Sequence, residues 1–132
     1  MNDILMAKAA VSAAELEFYA GNPSWTVRCE VASNWFASSE LLNKLAHDFR
    51  WEVQACVAEN PNTDEVTYEY LLEQGREDVL WYIAGSTMAP KYCRIRAAEK
   101  LAGDDIENAF FRGKITYAMK ELVLKNQRSN IA

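Results

Sequence analysis

The chain has 132 residues, half of them hydrophobic and a quarter charged, with a net charge of −5. That length makes one domain with a core and excludes two, and the composition excludes wholesale disorder. The charge is uneven: Met1–Phe111 carries 18 acids against 9 bases, whereas the stretch from Arg112 onward carries 5 bases and one acid. An acidic body argues against direct nucleic-acid binding, which needs a basic surface.

At the N-terminus, Met1-Asn-Asp-Ile-Leu-Met carries an acid and lacks the basic flank of a signal peptide. No apolar run has the length of a membrane span. These features predict a cytoplasmic protein without membrane contact. The sparse, odd set of Cys29, Cys56 and Cys93 agrees, being no disulfide framework.

A period of 26 residues organises the chain. Val27-Arg-Cys-Glu-Val31-Ala32-Ser-Asn34 is followed by Val53-Gln-Ala-Cys-Val57-Ala58-Glu-Asn60, then by Val79-Leu-Trp-Tyr-Ile83-Ala84-Gly-Ser86. Leu5-Met6 and Lys8 extend the series backward. A second stripe keeps the same step: Leu16, Tyr19-Ala20 and Asn22; Leu42, Leu45-Ala46 and Asp48; Tyr68, Leu71-Leu72 and Gln74. The valines one turn apart mark a helical face, and the small Ala beside the second admits a neighbouring helix. Asn34 and Asn60 read as helix stops or turn residues, and Ser38, Asp64 and Pro90 as starts of the next helix.

The expected fold is therefore all-α: an α-solenoid of about eight short helices in stacked pairs. Clear repeats span 9–86, an atypical C-terminal cap spans 87–128, and 129–132 is a frayed tail. The predicted core holds Val27, Val31, Leu45, Val53, Val57, Leu71, Val79 and Ile83. Within the cap, Pro90–Leu101 reads as a helix, and Ile106–Phe111 as a short helix that begins about three residues early relative to the period. The last helix is expected at about Ile115–Lys125.

The stretch Leu41–Thr63 resembles the variant leucine-rich repeat family, with Leu42, Leu45, Ala46, Asp48, Val53, Val57, Ala58, Asn60, Pro61 and Thr63 at the positions of its repeat. Arg28 supplies the family's Arg in the preceding unit. The likeness covers Glu15–Pro90, and HEAT-like helical repeats are its near neighbour. It implies a right-handed superhelix of short helices. One branch of that family carries an iron–sulfur cluster on N-terminal cysteines, but Met1–Thr26 contains none. The chain also departs at Trp35-Phe36 and at Tyr68-Glu-Tyr70.

Residues that bear chemistry are few. The cysteines are not clustered as metal ligands are and read as small buried hydrophobes. His47 stands alone on an exposed side, without the third group a catalytic dyad needs. Asp104-Asp105 reads as a turn and helix cap. No metal, cofactor or catalytic residue is expected.

Trp25 and Trp51, at one repeat position, read as packing between repeats. Trp35, Phe36 and Trp81 lie off the repeat stripe and suit partner anchoring. Glu65, Glu69 and Glu73 form a ridge at i, i+4, i+8, with Tyr70 and Trp81 as accompanying anchors and Glu40 and Lys44 expected beside it. The basic tail reads as cations favoured near a final helix C-terminus. The functional expectation is a non-enzymatic module that binds a protein partner, one with a basic surface where the ridge is used. The alternative is a small acidic inhibitor that mimics nucleic acid. An enzyme is the third and least favoured class.

Overall fold

The computed structural model describes residues 2–130, and among these it is helical throughout, with no strand. Ten helices follow one another: α1 Asp3–Ala9, α2 Ala13–Ala20, α3 Trp25–Ser33, α4 Ser39–Ala46, α5 Trp51–Ala58, α6 Glu65–Gln74, α7 Glu77–Gly85, α8 Lys91–Ala102, α9 Ile106–Phe111 and α10 Tyr117–Ser129. The expectation of about eight falls short chiefly at α1, whose 7 residues are too brief for a visible apolar period; α9, of 6 residues, lies at Ile106–Phe111 as expected, though it starts late against the period and not early. No helix among the described residues is long and apolar enough to cross a membrane.

Helix starts follow the spacing in the sequence. Trp25, Trp51 and Glu77 open α3, α5 and α7; Ala13, Ser39, Glu65 and Lys91 open α2, α4, α6 and α8. The step of 26 thus persists into α8. It breaks at α9, which begins at Ile106 rather than at position 103. Side-chain caps explain several of these starts: Ser12, Ser38, Asp64, Asp105 and Thr116 each accept the backbone N–H three residues on. α6 ends at Gly75, whose positive φ of 63° suits glycine. The final helix starts two residues later than expected, leaving Ile115 buried ahead of it, and it runs to Ser129 instead of fraying there. Residues 131–132 of the expected tail lie outside the described residues.

Contacts run between alternate helices. α1, α3, α5 and α7 each pack on the next, α4 packs on α6, and α6 on α8, while α2, α4 and α6 pack on the helix that follows them. α8 also supports α7, α9 and α10. All eight predicted core residues are buried, and one apolar cluster continues from Ala7 to Val123. Tyr68, a departure from the family pattern, is fully buried in it, and its hydroxyl donates to the Ala58 carbonyl at 2.7 Å.

Polar side chains join successive turns. The amide of Asn34, itself buried, donates to the carbonyls of Ala7 at 3.0 Å and Ala10 at 2.8 Å, and its Oδ1 accepts the Phe36 N–H at 2.8 Å. Asn60 repeats the arrangement on Ala32 and Asn34, with Asn62 N–H as its donor. Ser86, shorter, reaches only the Ala58 carbonyl, at 3.5 Å. These residues stop helices, as the sequence implies, and they also satisfy buried carbonyls of the turn before. Arg28 provides a second join. Its guanidinium pairs with both carboxylate oxygens of Asp48, at 2.7 and 3.2 Å, and donates to the carbonyls of Asn22 and Pro23.

Candidate functional site

The outward side of α5 and α7 carries an open cleft of about 440 Å³, lined by Trp51, Glu59, Asp78, Trp81, Tyr82 and Gly85. Its floor follows from helix periodicity. Val53, Val57, Val79 and Ile83 turn into the core, which leaves Asp78, Trp81 or Tyr82, and Gly85 a turn apart on the other side of α7. Trp51 leans on Tyr82 of the next helix pair, with ring centroids 6.2 Å apart. Gly85 opens the end of the cleft, because no side chain stands there.

Charge is distributed unequally around Trp51. On its other side a shallower cleft of about 390 Å³ is lined by Phe49, Arg50, Trp51, Glu52 and Arg76. The cations there are already engaged. Arg50 donates to Glu52 at 2.7 Å and lies 4.5 Å over the Trp25 ring. Arg76 donates to the Phe49 carbonyl and to Gln54. Glu59 and Asp78, both exposed, have no ion-pair partner among the described residues. The first cleft therefore combines three aromatic rings with two unneutralised carboxylates, the chemistry that holds a cationic side chain.

The other predicted site residues separate into distinct places. Glu65, Glu69 and Glu73 lie along α6, but the ridge is not uniformly acidic. Arg96 of α8 donates to both oxygens of Glu69 at 3.0 Å, while Glu65 and Glu73 are exposed. α8 packs on α6 and so brings this base across to the ridge. Lys44 likewise pairs with Glu17, at 3.6 Å. Tyr70 is half-buried and stacks on His47, with centroids 3.8 Å apart, while His47 Nδ1 bonds the Asn43 carbonyl at 2.9 Å. Trp81 belongs to the cleft and not to the ridge.

Trp35 and Phe36 are 66% and 64% exposed, a turn-borne apolar patch beside a hollow of about 310 Å³ that also includes Val11 and Glu30. Trp25 and Trp51 pack between pairs as expected, under Arg50 and against Tyr82 respectively. Trp51 is in addition a cleft wall, which repeat position alone did not convey. Glu59 and Tyr82 were also missed, since both occupy variable positions of the repeat and only the structure brings them to one cleft.

Of the cysteines, Cys93 is buried as expected. Cys29 and Cys56 are only half-buried, and they lie on α3 and α5, which pack on one another. The Cys29 S–H bond, aided by Ser33 and opposed by burial, holds Cys56 down at about 7, while Cys29 is pushed up. Among the described residues no group of three or more His, Cys, Asp or Glu side chains is placed to hold a metal ion.

Comparison with known proteins gives no match to any family model, any curated protein or any solved structure.

Proposed function

We propose that the chain is an α-solenoid with a unit of about 26 residues, of the variant leucine-rich or HEAT-like kind, and that it works in the cytoplasm as a non-enzymatic protein-binding module. Support for the solenoid comes from helix starts that hold one step from α2 to α8 and from Asn34 and Asn60, whose amides each donate to carbonyls 24 to 28 residues back. Such an array presents an extended side to a partner while each unit contacts only its neighbours.

The partner reading rests on one observation: the aromatic cleft of Trp51, Trp81 and Tyr82 bears two unpaired carboxylates, Glu59 and Asp78. A lysine or arginine of a partner segment fits it by stacking on the rings and pairing with the acids. The nucleic-acid-mimic alternative is weaker, because Arg96 and Lys44 neutralise carboxylates on the α4–α6–α8 side.

Peptides of equal length bearing lysine or arginine, or glutamate in their place, test this by tryptophan fluorescence. The basic peptides are expected to bind and the acidic ones not. Asp78→Lys should weaken binding at least tenfold at low salt, and the loss should shrink as salt rises. Equal weak binding of all peptides, or a loss confined to Glu65→Lys and Glu73→Lys, would remove the cleft from the reading.

A further inference from the structure

Polar bonds between neighbouring helix pairs span 20 to 28 residues, several of them 27. Asn34 reaches the Ala7 carbonyl, Asn62 that of Trp35, Arg76 that of Phe49, and Arg96 pairs with Glu69, all at that separation. Cys29 and Cys56 stand at the same separation, on α3 and α5, which pack directly on one another. Both are partly open to solvent, unlike Cys93, and each thiol perturbs the other's ionisation.

We propose that Cys29 and Cys56 form a paired-thiol modification site that closes to an intramolecular disulfide by exchange with a small-molecule disulfide. The inference is independent of the cleft. Cys56 attacks first. Cys29 and Ser33 beside it favour the Cys56 thiolate against burial and the charges of Glu59 and Glu30, whereas Cys56, burial, Glu52 and Asp48 all oppose a charge on Cys29. Attack of the Cys56 thiolate on one sulfur of the reagent breaks the S–S bond, forms a mixed disulfide and expels one thiolate, which takes up the proton that left Cys56. The Cys29 sulfur then loses its proton and attacks Cys56 Sγ, expelling the second thiol. Two electrons pass from the cysteine pair to the reagent, so one protein disulfide and two small thiols replace one dithiol and one small disulfide. Cys93, closed off in the core, takes no part.

The test is oxidised glutathione applied to the folded chain, followed by intact-mass and peptide mass spectrometry. Expected is a species lighter by two hydrogens, carrying a Cys29–Cys56 cross-link and no link to Cys93. The same reagent on urea-unfolded chain should scramble the three pairings. Cys29→Ser should stop at the mixed disulfide on Cys56, and Cys93→Ala should leave the cross-link unchanged. Folded wild-type chain that accumulates only mixed disulfides, or links Cys93 as readily, would overturn the site. Attack at Cys29 in Cys56→Ser, as fast as at Cys56 in Cys29→Ser, would overturn the order of steps.

Discussion

The side-chain amide of Asn60 donates to the backbone carbonyl of Asn34 at 2.9 Å, and Asn34 uses its own amide in the same way on the turn before. Because both amides are buried, their loss strands buried carbonyls. Asn60→Ala is expected to cost about 1–3 kcal/mol, because the Ala32 carbonyl loses its side-chain donor while the Asn34 carbonyl keeps only the Ala37 N–H. Asn60→Ser should cost less, since Ser86 shows that a hydroxyl at this position retains one of the carbonyls and the following N–H. Urea unfolding of the two variants checks the order; equal losses would mean that the amide's second bond contributes nothing.

The Arg28–Asp48 pair is almost closed to solvent, with side chains 9% and 8% exposed. Removing one partner leaves the other charge buried, so Arg28→Ala should destabilise by about 3–5 kcal/mol. Replacing both with apolar residues should cost less than the two single changes together. Asp48→Asn should be milder than Asp48→Ala, because the side chain also accepts the Arg50 N–H at the start of α5. A double-mutant cycle by chemical denaturation measures these terms, and strict additivity would show that the pair is not coupled.

Charge reversal on α6 should divide by position. Glu65→Lys and Glu73→Lys are expected within about 0.5 kcal/mol of wild type. Glu69→Lys turns an ion pair with Arg96 into a like-charge contact, yet both side chains are 44% exposed and screened, so its cost should stay near about 1 kcal/mol and shrink in salt. Thermal melts at low and high salt make the comparison. A loss of several kcal/mol at Glu69 would show that Arg96 braces the packing of α6 on α8.

Tyr68 gives the fold an alkaline limit. Burial, chiefly, pushes its phenol from 10.0 up to about 12. The folded state therefore keeps the proton longer than the unfolded state does. Its contribution to stability is full below pH 10 and is lost as pH rises through about 12. Tyr68→Phe should be less stable at neutral pH, having lost the bond to the Ala58 carbonyl, but its stability should fall less steeply between pH 10 and 12. Parallel stability profiles for the two proteins across that window would contradict the assignment.

Much of the helical skeleton was legible because the repeat is written in residues whose role is local. Val27, Val53 and Val79 mark an inward face by spacing alone, and Ser38 and Asp64 mark helix starts by capping chemistry. What escaped depends on contacts between units. Nothing near Glu69 in sequence announces Arg96, and the ridge is altered by that one base. Trp51 was assigned to packing from its repeat position, but its second face is defined by Tyr82, on the next pair. Cys29 and Cys56 look unrelated until α3 and α5 are set side by side, when the offset that joins Glu69 to Arg96 joins them too. The short α9 slipped the period because Gly103, at a positive φ of 67°, and the Asp105 cap move its start.

The asparagine bonds have a direction. Asn34, Asn60 and Ser86 each reach toward the N-terminus, to carbonyls that leave the ribosome before them. Each of these donors thus finds its acceptor already synthesised. The two ends of the chain are correspondingly unequal. Deleting residues 1–11 takes away the Ala7 and Ala10 acceptors of the Asn34 amide, together with the chain that lies against it. Deleting α10, though it has 13 residues, orphans no such donor. Removal of residues 1–11 should therefore lower the unfolding midpoint more than removal of residues 115–132, despite the smaller apolar face exposed. The reverse order would mean that burial under α10 outweighs the polar joins at the start of the array.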